Sequence, residues 1–324
     1  MSRTATWLTL LYGALSLACN DQGPPQTSTT SNPGHWLVED SLPSARSDIG
    51  VATLNGKVYS IGGYYQVHVM ADVDAYDPAT NSWSSKAPLP TARCCMGVAV
   101  VNGVLYAVGG FIPYVGAVGT VEAYDPATNT WTTKAPMQIP RDYLAAGVVN
   151  GVLYAVGGYV HPGGAQMQSD TVEAYDPVAD TWTLKASMPT PRSGLGVGVV
   201  NGILYAVGGS SWSGEVQAYD PTTNTWATKA KIPTKRAGLG VGVMNGLVYA
   251  VGGVPIPGDT QGFLKVIEVY DPSTNTWTTK APMPTARTEL GVGVLGNSLY
   301  AIGGYFPLSS NSYGFTPNNE AFHP

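Results

Sequence analysis

Charged residues make up only 11% of the 324 amino acids, against about a quarter in an ordinary soluble chain. Sixteen Lys and Arg face 21 Asp and Glu, a net charge of −5. There is no basic excess with which to hold a nucleic acid or an anionic membrane surface. The three cysteines, Cys19, Cys94 and Cys95, are too few for a disulfide framework. The four histidines, His35, His68, His161 and His323, do not fall at metal-ligand spacing, and no phosphate-binding loop or nucleophile elbow is present. Neither a metal nor a cofactor is expected. Long runs of helix formers are missing as well, and the longest apolar stretch, Trp7–Leu17, is too short for a comfortable membrane span. What the chain does have is 40 Gly, 25 Pro and 19 Tyr, with much Val and Thr. That composition points to an all-β protein with many turns.

Three markers recur in lockstep. Gly-Gly pairs begin at Gly62, Gly109, Gly157, Gly208, Gly252 and Gly303, with steps of 47, 48, 51, 44 and 51. Trp36, Trp83, Trp131, Trp182, Trp226 and Trp277 keep the same steps, and so do Arg46, Arg93, Arg141, Arg192, Arg236 and Arg287. Such a period means a repeat architecture. In the copy at 193–226, Leu195–Val200 alternates Gly with larger apolar residues, as suits a strand crowded near an axis. Asn201-Gly202 gives a two-residue hairpin turn, Ile203–Gly209 a second strand, and Val216–Tyr219 a third, stopped by Asp220-Pro221. Thr225–Lys229 is the fourth, with Trp226 expected to anchor against the next unit.

A repeat reading W…PTxR…GVGVVNGxLYAVGG…VEAYDPxTNTW resembles the kelch motif, and the resemblance covers residues 36–324. It implies a six-bladed β-propeller with four antiparallel strands per blade. The last copy ends in Phe322-His323-Pro324 with no Trp strand after it, while His35-Trp36 is a spare one at the other end. The N-terminal strand is therefore expected to close the final blade, bringing His35 and His323 together, in a propeller spanning 35–324.

Ahead of it, residues 1–19 read as an export signal: Arg3, an apolar core, then Ala18-Cys19. Ser16-Leu17-Ala18-Cys19 resembles a bacterial lipoprotein signal with Cys19 as the lipidated residue, although Ser16 stands where that pattern prefers Leu. Residues 20–34 are polar and rich in Pro, Ser and Thr, as in a disordered tether. The expectation is an exported protein, either lipid-anchored in a bacterial cell envelope or secreted, and monomeric.

Segment lengths point to one face. Trp to Arg is always 10 residues, Arg to Gly always 16, and Tyr to Trp always 7, whereas the first Gly to the aromatic of the third strand takes 14, 15, 18, 11, 18 and 19. All the variation falls in the loop between strands two and three, which shares a face with the PTxR connection. Variable loops carry specificity. These loops hold Phe111, Phe263, Phe306 and Phe315, with Tyr64, Tyr65, Tyr114, Tyr159, Trp212, Tyr305 and Tyr313. Exposed aromatics suit sugar stacking or peptide recognition. For Tyr64, Phe111, Tyr159 and Tyr305, directly after Gly-Gly, packing beneath their own loop is the plainer role.

The six Arg, one per repeat, read first as braces for the connections through backbone carbonyls. In some kelch proteins such residues contact ligands, which keeps Arg93, Arg141 and Arg192 among the binding candidates. Two residues past each Arg stand Asp48, Cys95, Tyr143, Gly194, Gly238 and Glu289 near the channel mouth, with Asp48 and Glu289 in neighbouring blades. Cys94-Cys95 is either a vicinal disulfide or a pair of buried thiols.

The binding candidates are thus Tyr65, Tyr114, Trp212, Phe306, Asp48, Tyr143, Glu289, Arg93, Arg141 and Arg192, and no catalytic set converges. The leading reading is a non-catalytic binding propeller for a protein or glycan partner. The resemblance also allows a carbohydrate enzyme of the mutarotase or epimerase type, using Asp48 and Glu289 as acid and base. A copper-radical oxidase would draw on Tyr143, Cys95, His68 and His161, which lack the order that class requires. A cytosolic ubiquitin-ligase adaptor conflicts with the leader.

Overall fold

The computed structural model describes residues 33–210, 214–255, 262–309 and 312–324. The expected leader, its Cys19, most of the tether and Trp212 lie outside the described residues. No helix among the described residues is long and apolar enough to cross a membrane.

Six four-stranded antiparallel sheets make up the fold. Blade one comprises Gly50–Leu54, Lys57–Ile61, Val73–Asp77 and Ser82–Ser85. The next four blades repeat this order, beginning at Gly97, Ala145, Gly196 and Gly240. Blade six takes Gly291–Leu295, Ser298–Ile302 and Asn319–His323 from the end of the chain, and His35–Glu39 from its start. Trp36 pairs with Phe322, and the His35 and His323 rings stack with centroids 5.2 Å apart. The termini close the ring as the spare Trp strand implied.

The innermost strands abut one another around the axis, and their glycines are a matter of room. A Cβ on Gly196 would lie 2.1 Å from Val241 Cγ2 of the next blade, and one on Gly240 2.2 Å from Val292 Cγ2. Valine from one blade occupies the place of a side chain on its neighbour.

The Gly-Gly pairs have a related cause. Both residues take positive φ, 65° and 101° at Gly208-Gly209. The second donates its N–H to the Arg carbonyl of the following blade, as from Gly110 to Arg141 at 2.9 Å and from Gly304 to Arg46 at 2.9 Å. A Cβ on the first would come within 2.5–2.8 Å of that same oxygen in all six copies. Contrary to expectation, each pair lies beyond the end of strand two rather than within it.

The Trp anchor also faces the other way from the expected one. Trp226 Nε1 donates to Ala186 O and Trp131 Nε1 to Ala87 O, at 2.8 and 2.9 Å, each in the connection leaving the preceding blade. The Asn of the TNT turn helps to grip that connection. Asn129 Oδ1 accepts from Tyr124 Oη at 2.8 Å and from Ala87 N at 2.9 Å.

Candidate functional site

The residue two past each Arg lies on the axis, and the six are joined backbone to backbone. Cys95 N donates to Asp48 O, Tyr143 to Cys95, Gly194 to Tyr143, Gly238 to Gly194, Glu289 to Gly238 and Asp48 to Glu289, all at 2.8–3.0 Å. This closed ring requires positive φ at every member, from 49° at Tyr143 to 62° at Gly238. Glycine adopts that conformation freely, whereas other residues incur about 1–3 kcal/mol each. Blades four and five use Gly194 and Gly238. Blades six, one, two and three instead carry Glu289, Asp48, Cys95 and Tyr143 there, so strain is concentrated where side chains reach the channel mouth.

The mouth is consequently one-sided. Its glycines leave room, and the Glu289 carboxylate lies over Gly238, with Oε1 only 2.5 Å from where a Cβ would stand. Asp48 is buried and accepts from Ser47 Oγ at 2.5 Å. Burial raises its pKa to about 6, and the neighbouring Ser47, Tyr143 and Cys95 side chains work against that. Glu289 is pushed well above the usual carboxylate range, by burial first and then by Asp48. The Tyr143 hydroxyl is pushed far up by burial and by the same acids.

Beside the mouth, on the long-loop face, opens a cavity of about 560 Å³. Asp48, Cys94, Cys95, Asp142 and Tyr143 line it, together with Tyr64, Phe111, Tyr114 and Tyr305. Asp142 is buried, and its Oδ2 lies 3.0 Å from His161 Nε2. Burial raises its pKa, and the neighbouring His161 works against that. Cys94 and Cys95 are two buried free thiols with their sulfurs 2.9 Å apart, the plainer of the two expected states. Burial, first of several causes, lifts the Cys95 thiol well above its usual range.

The structure brings together Asp48, Tyr143 and Glu289 at the axis, with Tyr114 fully exposed at the cavity rim. Tyr65 and Phe306 stand apart from them. The Tyr65 ring packs against Phe315 at 5.0 Å, and Phe306 pairs with and covers Gly314. Tyr64, Phe111, Tyr159 and Tyr305 are half-buried and bridged to Ser47, Cys94, Asp142 and Thr288 of their own blades. Three of the four still line the cavity, so packing and site roles coincide.

Arg93, Arg141 and Arg192 have no exposed surface at all. Arg93 donates to the carbonyls of Gly109, Ala107 and Thr91 and forms an ion pair with Glu122 at 2.5 Å. Arg141 pairs with Glu173 at 3.0 Å. Arg192 meets Gln217 Oε1 at 2.8 Å instead of a carboxylate, and burial lowers its pKa to about 10. These guanidinium groups brace the blades from within and offer no face to a ligand. Sequence reasoning missed their acidic partners and Asp142. The signals were the second residue of the VEAY strand and the residue one past each Arg.

The repeat matches known proteins. Residues 86–253 and 136–304 match the KLHDC2/KLHL20/DRC7 Kelch-repeats domain, and residues 45–90 match the Kelch motif. Kelch-like ECH-associated protein 1A of Danio rerio is 36% identical over 143 residues, 44% of this chain and 16% of that protein. Kelch-like protein 1 of Mus musculus is 52% identical over 42 residues, 13% of this chain and 6% of that protein. The alignments thus span less than a fifth of either relative's length. The solved structure of YjhT superposes with a TM-score of 0.71 at 18% identity, over 87% of this chain and 96% of that one, a likeness of fold alone. With its six blades and matching repeats, the chain belongs to the kelch-repeat β-propeller family.

Proposed function

We propose that this protein is a binding propeller, holding a partner protein on its long-loop face with one group of the partner inserted at the axial mouth. The observation that carries the reading is the aromatic-walled cavity of about 560 Å³ beside the axis, on the face where all loop-length variation falls. Kelch-like relatives that carry the same repeat support a protein partner over a glycan. A photocrosslinking residue in place of Tyr114 tests it in the full chain. Crosslinks to one specific partner, competed away by unlabelled protein and absent from the same substitution at Val178 on the outer rim, are expected. Equal capture at both positions would refute the reading.

One observation favours a second reading. Asp48 and Glu289, both held protonated more readily than usual, supply an acid and a base at a channel mouth. Sugar anomerisation catalysed by the chain and lost in Asp48→Asn would replace binding with catalysis. The sequence of residues 1–19 further supports export with Cys19 as a lipid-bearing residue.

A further inference from the structure

Two buried carboxylate oxygens on residues lining the cavity have no hydrogen-bond partner among the described residues. They are Asp48 Oδ1 and Asp142 Oδ1, on residues only 7% and 1% exposed. In each carboxylate the other oxygen is engaged, by Ser47 Oγ and by His161. An ionised carboxylate only accepts, and leaving such an atom buried and unpaired costs about 1–3 kcal/mol or more. The missing complement is a group that donates. Among the described residues no Lys or Arg lines the cavity, and the rings of Tyr64, Phe111 and Tyr114 do.

Resting on the reading of this face as a binding face, we propose that the cavity takes an organic cation bearing N–H donors. A primary ammonium or guanidinium group would sit between Asp48 and Asp142, its stem against those aromatic rings. Carboxylates and ring faces both attract a cation, and its N–H groups supply the donors that the orphaned oxygens lack. A quaternary ammonium offers charge without N–H. A neutral polyol offers donors without charge. A divalent metal is disfavoured, since no cluster of three or more His, Cys, Asp or Glu among the described residues is disposed to hold one.

Protonation competes with the cation for these oxygens. Asp48 is faced by Glu289, Cys95, Tyr143 and Tyr305, and Asp142 by His161. Because the Asp48 carboxyl titrates near 6, it is largely neutral at pH 5 and ionised at pH 8. Binding therefore tightens as pH rises.

The test is calorimetric titration of the full chain at pH 5 and pH 8 with agmatine, n-butylammonium, tetramethylammonium and glycerol. The peptides acetyl-Gly-Arg-Gly-amide and acetyl-Gly-Lys-Gly-amide stand for a cation carried by a partner protein. Saturable binding of agmatine and butylammonium is expected at pH 8, at least tenfold tighter than tetramethylammonium and weakened at least tenfold at pH 5. Peptides binding more tightly than agmatine would place the cation on a partner, and the reverse would place it on a free amine. Asp48→Asn and Asp142→Asn should each lose tenfold or more at an unchanged melting temperature, since Asn tolerates the positive φ of Asp48. The unsubstituted chain's pH profile reads the same property without any variant. No saturable binding of either amine or peptide, glycerol binding as well as agmatine, or Asp48→Asn binding unchanged would each overturn the proposal. Specific crosslinking at Tyr114 alongside failure of the amines would remove the cationic ligand and leave the binding face standing.

Discussion

At the residue scale, the buried Arg is the central device of each blade. Its guanidinium is withdrawn from water and, in every blade but the fourth, pairs with one acid from the third strand, with carbonyls of its own blade adding to the hold in Arg93 with Glu122 and Arg287 with Glu320. Removing one member of such a pair leaves a buried charge uncompensated, at about 3–5 kcal/mol, whereas replacing both with apolar groups is often neutral. Glu122→Gln is therefore expected to destabilise the chain by about that amount in chemical denaturation. Arg93→Met combined with Glu122→Leu should recover most of the loss. Blade four shows what makes a Gln tolerable. Beside Gln217 stands Glu215, whose carboxylate accepts from Gln217 Nε2 at 3.3 Å and whose charge acts on Arg192. Blade two has Gly119 and Thr120 ahead of Val121, where blade four has Gly214 and Glu215 ahead of Val216, so no second acid is at hand there. A double variant no better than Glu122→Gln alone would show that the Arg acts through something other than charge.

At the element scale, a blade is specified by where side chains are left out. The inner strand GVGVV alternates so that valines of one blade fill the glycine positions of the preceding one. Gly196→Ala should cost about 1–3 kcal/mol, the usual penalty for overpacking. Val241→Ala, itself destabilising, removes the methyl at 2.1 Å but leaves a Cβ 2.7 Å from the new one, so it should remove only part of the added penalty when combined with it. A double-mutant cycle by denaturation measures that coupling, and strictly additive losses would mean the contact is not what excludes a side chain. Such periodic exclusions made the fold legible from sequence. Gly, Trp and Arg each do the same task in every blade, so repetition exposes the task. The proposed binding face was marked for the opposite reason, by loops that refuse to repeat. What stayed hidden is non-periodic. Asp142 stands where other blades have Ser47, Cys94, Ser193, Ala237 and Thr288, a variable position whose one mark is its place directly after each Arg. Tyr65 and Phe306 turn away because their short hairpins pair 65 with 68 and 306 with 314, registers that aromatic content does not encode.

At the scale of the whole molecule, three circuits of hydrogen bonds run from blade to blade. They join the axial backbones, the Gly-Gly amides to the next Arg carbonyls, and the Trp indoles to the preceding connections. Each circuit crosses the seam: Asp48 N reaches Glu289 O, Gly304 N reaches Arg46 O, and Trp36 Nε1 reaches Ala281 O at 2.9 Å in all three. A circuit is only as strong as its closure, and the strand His35–Glu39 closes the outer one. Without it the strand Asn319–His323 becomes an exposed edge with Phe322 partly uncovered, a template for aggregation. A chain beginning at Ser41 should therefore melt at a lower temperature and aggregate on heating. A peptide of residues 33–40 added in trans should restore much of the lost stability by re-adding the strand, in proportion to its concentration. The same peptide with Trp36 replaced by Ala would lose both the indole bond to Ala281 and the packing on Phe322, and should restore far less. If the shortened chain melts like the full one, closure belongs to the axial ring of six amide bonds. The outer strand would then serve only to cover an edge.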